Sequence, residues 1–172
     1  PGWIGGVWAQ GAAVDSPVRL EVLSPEAERY GLIEFALGVP RRYADPLDPR
    51  EVDLTLVIRT PAGQTRKLPA FFTQQYELKT IPRSGRAAAW MYPLSQPVWK
   101  ARFAPAEVGR YRVVAELRDG DGLATSAEVE FRCTASRRPG FVRVSRQDPQ
   151  FFEFTNGQPF FPIGQNLAFI GE

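Results

Sequence analysis

The chain contains no histidine and one cysteine, Cys133. Imidazole is the usual base of serine and cysteine triads and a common zinc ligand. Histidine-based triads, zinc sites built on His or paired Cys, and an intrachain disulfide are therefore excluded. A Gly-x-Ser-x-Gly nucleophile elbow is also absent. No apolar run approaches the roughly 20 residues that a membrane helix requires, and no segment carries a sustained apolar stripe of helical period. At most a single helical turn is expected, at 24–29. Neither sign of charge dominates: 21 Lys and Arg stand against 19 Asp and Glu, spread along the sequence, for a net +2. That spread argues against nucleic acid as a partner, and the sharpest basic cluster, Arg137 and Arg138 followed by Arg143 and Arg146, reads as a solvated linker. With 172 residues there is no room for a complete eight-stranded α/β barrel, which needs about 250.

What is present is apolar and aromatic. A hydrophobic share of 44% with 12% aromatics is enough to bury a core. Apolar residues recur with period two, the mark of strands with one wet and one dry face. Val18, Leu20 and Val22 alternate with Arg19 and Glu21, and Ile33, Phe35 and Leu37 with Glu34 and Ala36. Val52, Leu54, Leu56 and Ile58 alternate with Asp53, Thr55 and Arg59. Trp99, Ala101 and Phe103 do so with Lys100 and Arg102, Tyr111, Val113, Ala115 and Leu117 with Arg112, Glu116 and Arg118, and Val129, Phe131 and Cys133 with Glu128, Glu130 and Arg132. Gly- and Pro-rich turns separate these runs. The pattern predicts an all-β fold, an antiparallel sandwich of immunoglobulin type over residues 15–135. Tyr111, opening a late strand after Pro105 and Gly109, is placed to bond its hydroxyl back onto the preceding loop. Cys133 alternates inward as a buried thiol.

Between Phe71 and Gln96 the alternation fails. Phe71, Phe72, Tyr76, Trp90 and Tyr92 are strung along a segment interrupted by Pro82 and Pro93, which reads as a long, aromatic-rich loop of the kind that carries function. Trp90 and Tyr92 admit two readings: a stacking platform for sugar rings, or cover for the sandwich edge or a neighbouring domain. Asp45, Asp48, Glu51 and Asp53 offer the oxygen ligands that calcium takes. The Asp-Pro steps explain them more simply as turn initiators, and no metal or other cofactor is expected. Glu128 and Glu130 lie on the wet face of a strand and are not a catalytic pair.

After residue 135 a linker leads into Phe141-Val142-Arg143-Val144, then Phe151-Phe152-Glu153-Phe154. The turn Asn156-Gly157 and the apolar run Pro159-Phe160-Phe161-Pro162-Ile163-Gly164-Gln165-Asn166 follow. That run has the character of a strand buried on both faces, as in a parallel barrel.

Several motifs occur in order. Asp45-Pro46-Leu47-Asp48-Pro49 precedes Glu51-Val52-Asp53-Leu54, followed by Thr60-Pro61-Ala62-Gly63 and Leu68-Pro69-Ala70-Phe71. Val98-Trp99-Lys100-Ala101-Arg102-Phe103-Ala104-Pro105 then leads to Gly109-x-Tyr111, and the C-terminal runs close the series. Taken together the chain resembles the immunoglobulin-like domain of unknown function that precedes (β/α)8 barrels of bacterial glycoside hydrolases. The resemblance implies a secreted or cell-surface enzyme acting on polysaccharide. It divides the chain into an N-terminal extension (1–14), the sandwich (15–135), and a linker, hairpin and first barrel strand (136–172). The partners implied are the missing barrel and a polysaccharide, with neither nucleic acid nor membrane. The barrel's catalytic carboxylates would come from later strands, so this chain carries no catalytic residue and is not by itself an enzyme. Asn166, ending the first barrel strand, either lines the barrel pocket or is structural. The candidate carbohydrate contacts are Tyr76, Trp90, Tyr92 and Asn166. Where relatives have a short link, residues 73–96 form an insertion. The alternatives are a freestanding carbohydrate-binding module and a protein-interaction or adhesion domain.

Overall fold

The computed structural model describes residues 17–83 and 86–164, the side chains of 81–88 excepted. Among these residues all regular structure is β. In chain order the strands are β1 (Arg19–Val22), β2 (Glu26–Glu28), β3 (Ile33–Gly38), β4 (Val52–Arg59), β5 (Thr65–Pro69), β6 (Phe71–Thr73), β7 (Tyr76–Arg83) and β8 (Arg86–Pro93). They continue with β9 (Val98–Phe103), β10 (Gly109–Asp119), β11 (Gly122–Thr125), β12 (Val129–Thr134), β13 (Val142–Val144), β14 (Phe152–Phe154) and β15 (Pro159–Phe160). A four-stranded antiparallel sheet in the order β1-β3-β9-β6 faces a six-stranded one in the order β2-β12-β10-β4-β5, with β11 also paired to β10. The open β-sandwich expected from the alternation is what forms.

Its interior is built from the dry faces anticipated above. Ile33, Phe35 and Leu37 of β3, the apolar set of β4, and Tyr111, Val113, Ala115 and Leu117 of β10 are all buried, as are Trp99, Ala101, Phe131 and Cys133. Four rings join the two sheets. Phe35 and Phe103 come from one sheet, Tyr111 and Phe131 from the other. Tyr111 stacks on Phe131 at 4.7 Å, and Phe103 meets Tyr111 edge-on at 5.8 Å, as Phe35 meets Phe131 at 5.9 Å. Such pairs add about 0.5–1.5 kcal/mol each beyond simple burial. The Tyr111 hydroxyl donates to the Glu107 carbonyl at 3.0 Å and accepts from the Glu107 N–H at 2.9 Å. The phenol thus ties the β9–β10 loop back onto its own strand.

Three expectations are corrected. Residues 24–29 form no helical turn. They hold β2, which pairs parallel with β12 and accepts at the Pro25 carbonyl from the Arg132 N–H at 2.9 Å. An open edge of a sheet supplies hydrogen bonds that a single isolated helical turn cannot match. The segment after Phe71 is not a long loop: β6 joins the four-stranded sheet, and β7 and β8 form an eight-pair antiparallel ribbon. Within the described part of the strand read at 159–166, only Pro159–Phe160 forms a strand, paired with β14, while residues 161–164 follow it without regular structure and exposed. The extension 1–14 and Asn166 lie outside the described residues.

The C-terminal strands form a small meander, β13-β14-β15. Gly157, at φ +89°, closes its second turn. Gly140, at φ +102°, sits where a Cβ would lie 1.7 Å from Thr155 Oγ1 and 3.2 Å from the Tyr30 ring. The Thr155 hydroxyl accepts from the Phe141 N–H at 3.1 Å, and the Phe141 ring meets Tyr30 edge-on at 5.2 Å. These contacts fasten the meander to the sandwich.

Tyr111→Phe is expected to cost about 1–3 kcal/mol in urea unfolding, because the Glu107 N–H and carbonyl lose a buried partner. Gly140→Ala should lower Tm more than Gly157→Ala, where a Cβ would meet nothing within 4 Å and only left-handed strain of about 1–2 kcal/mol is paid. Equal losses for the two alanines would remove the packing explanation.

Candidate functional site

The ribbon of β7 and β8 places the candidate aromatics. Directly opposed residues of an antiparallel pair share a face. The register opposes Lys79 to Trp90 and Glu77 to Tyr92, which puts these four side chains together. Tyr76 opposes Pro93 and Leu78 opposes Met91, so Tyr76 lies on the other face. The structure therefore joins Trp90 with Tyr92 and separates both from Tyr76. Trp90 and Tyr92 are two positions apart on one strand, about 7 Å along it, and are 54% and 39% exposed. The Lys79 ammonium stands 5.7 Å from the centre of the Tyr92 ring and 2.9 Å from the Glu77 carboxylate. One face thus combines two exposed rings with a neutralised ion pair. The opposite face, with Tyr76, Leu78 and Met91, is apolar.

The ribbon is clamped at its root. The Gln74 side-chain amide donates to the Ser95 carbonyl at 2.6 Å, and its oxygen accepts from the Tyr76 hydroxyl at 2.8 Å. Below this clamp, Phe72 packs on Trp99 at 5.2 Å. Both line a cavity of about 490 Å³ together with Leu37, Val39, Arg41 and Tyr43, within the range of small-ligand sites. Its polar wall is fixed from behind. The Tyr43 hydroxyl donates to Asp119 Oδ2 at 2.6 Å, while Arg41 reaches Asp119 at 2.8 Å and Asp121 at 2.7 Å. The hydrogen bond from Tyr43 holds the Asp119 carboxyl below its ordinary value, helped by the Asp121 N–H and the Arg41 guanidinium against the opposing effect of burial. Burial raises the Tyr43 phenol, and the hydrogen bond to Asp119 raises it further.

The acidic groups weighed as ligands or catalysts are engaged in structure. Glu51 accepts from the Ala44 and Asp45 N–H groups, Asp45 from the Leu47 N–H, Asp48 from Arg50 and Asp53 from the Thr55 hydroxyl. Among the described residues no group of three or more His, Cys, Asp or Glu side chains could hold a metal ion. Arg112 binds Glu130 at 3.0 Å and approaches Glu128 at 3.7 Å on the outer face of the larger sheet. Cys133 is fully buried, and burial pushes its thiol pKa upward, away from thiolate chemistry.

The Arg41, Tyr43, Asp119 and Asp121 cluster escaped the sequence reading. Its two halves lie in separate turns, and Asp119-Gly120-Asp121-Gly122 has the composition of an ordinary hairpin turn. Glu153 is a second such case. Buried in the meander, it opposes Arg143 across the ladder and binds it at 2.8 Å, with the Ser145 hydroxyl donating at 3.0 Å. Beyond it, Phe161 and Ile163 are 71% and 98% exposed.

No protein-family model matches the chain, and no curated protein matches it. Among solved structures, the chain is similar to a protein from Bacteroides vulgatus ATCC 8482 described as a "putative glycoside hydrolase". The TM-score is 0.50 at 14% identity, over 81% of this chain and 22% of that one. At this identity the likeness is one of fold. The chain spans about a fifth of the length of the protein it matches.

Asp119 titrates in the folded protein below its ordinary 3.8. The unfolded chain therefore takes up the proton first, so the stabilisation is present above pH 3.8 and is lost as pH falls through the depressed value. Asp119→Asn should lower Tm at neutral pH, and the gap to the parent should narrow steadily on acidification. A gap independent of pH would show that the carboxylate charge contributes nothing.

Proposed function

We propose that this chain is the noncatalytic β-sandwich of a larger polysaccharide-degrading glycoside hydrolase, where it supports or extends the substrate cleft of a (β/α)8 barrel. The observation that carries the reading is the segment after β15. A run as apolar as Phe160-Phe161-Pro162-Ile163 leaves Phe161 and Ile163 almost bare, although an exposed apolar stretch of this kind marks a surface made to be covered. A barrel entered at this point would cover it. The fold likeness to a protein described as a "putative glycoside hydrolase" supports the same assignment, and the motif order noted above adds the expectation of a secreted or cell-surface location. The carboxylates that such barrels use for hydrolysis belong to the barrel.

A second reading, a freestanding carbohydrate-binding module, draws on the exposed Trp90 and Tyr92 alone. The two readings divide over Phe161 and Ile163, which a freestanding module has no reason to keep apolar.

The test compares this chain alone with the same chain joined to whatever its gene encodes after Glu172. The joined protein should hydrolyse a polysaccharide. Phe161→Asp with Ile163→Asp should destabilise it by about 3–6 kcal/mol, the burial of two large side chains. The same pair in the isolated chain should change stability by about 0.5 kcal/mol or less, as exposed substitutions do. Equal effects in both proteins, or a stop codon directly after Glu172, would overturn the proposal.

A further inference from the structure

A two-stranded ribbon is marginal in water on its own, yet this one leaves large side chains bare on both faces, with Leu78 68% and Met91 59% exposed beside Trp90 and Tyr92. Each of its edges carries a proline. Pro82 opposes Ala87 and Pro93 opposes Tyr76. Lacking an N–H, each proline must occupy a pair that exchanges no hydrogen bonds, with its nitrogen on the outer edge. One proline guards each strand, which disfavours addition of another chain. The two faces are therefore the better-suited surfaces for recognition.

The two faces call for different occupants. A protein surface covering Trp90 and Tyr92 would also strip water from the Lys79–Glu77 ion pair, a desolvation that costs more than the pair returns unless new partners are supplied. A hydroxyl-rich ligand supplies them. The C–H face of a pyranose lies on an aromatic ring and releases water. The ring hydroxyls can accept from the Lys79 ammonium and the Trp90 indole N–H, and donate to Glu77. Lys79 and Glu77 cancel one another beside the two rings, so the described side chains of this face hold no net charge for an acidic polymer. Trp90 and Tyr92 stand about 7 Å apart along the strand, so their rings would meet successive parts of a chain.

We propose that the Trp90–Tyr92 face of the ribbon binds a neutral polysaccharide, with Lys79 and Glu77 as its polar contacts and Tyr76 excluded by its position on the opposite face. The proposal deepens the accessory-domain reading and rests on it for the ligand class. Its test needs only the isolated chain, so it can fail while that reading stands.

Affinity electrophoresis of the chain through gels containing a soluble β-glucan, a xylan or a galactomannan, with polygalacturonate as the acidic control, reads the interaction directly. Retardation is expected in at least one neutral gel. Trp90→Ala and Tyr92→Ala should each weaken it about tenfold or more, as loss of a buried aromatic anchor does. Trp90→Phe should keep most of it, and Leu78→Ser and Met91→Ser should leave it unchanged. Circular dichroism melts of each variant guard against misfolding. Unaltered migration in every neutral gel, retardation by polygalacturonate alone, or equal loss on changing Leu78 or Met91 would overturn the proposal.

Discussion

The contact on which this molecule depends is the four-ring junction between its sheets. Tyr111 and Phe131 stack within one sheet and receive the edges of Phe35 and Phe103 from the other. Edge-on contacts have a preferred geometry that aliphatic packing lacks, so the junction fixes how the two layers meet as well as how strongly. The Tyr111 hydroxyl carries that constraint outward into the 104–109 loop. A core of the same volume without the phenol would hold the layers together but leave this end of the sandwich less defined.

One strand conveys this order to the exposed aromatics. Along β9, Phe103 belongs to the ring junction, while Trp99 packs on Phe72 where the ribbon is rooted. Register on β9 therefore sets the position of β6, and β6 leads through the Gln74 clamp into β7. The ribbon's own faces are then decided by its internal pairing. A slip of one residue would exchange Trp90 and Tyr92 for Met91. The ribbon is thus exact in which side chains share a face.

How far the amino-acid order discloses this arrangement depends on burial. The runs that became β1, β3, β4, β9, β10 and β12 were legible because each has one dry face against the opposite layer. The others carry no such imprint. In β5, only Leu68 is even partly buried, and β2 is a three-residue edge strand held by backbone bonds to β12. The ribbon conceals itself for another reason: both faces are wet, so apolar residues occur on each, and its prolines read as breaks until the edges are seen to be open. Trp90 and Tyr92 stood out by residue type, whereas the separation of Tyr76 needed the pairing register. The Arg41, Tyr43, Asp119 and Asp121 cluster was hidden because its halves are brought together only by the fold.

The placement of Pro82 and Pro93 has a consequence for crowding. Bare aromatic strands are ordinarily nuclei for amyloid, since stacking and backbone pairing reinforce one another as molecules accumulate. Here the imino nitrogens weaken that coupling: each strand lacks one outward N–H donor, at Pro82 or Pro93, which disfavours a cross-β ladder along either margin. Molecules brought to high local density would therefore be less prone to seed fibrils through this arm.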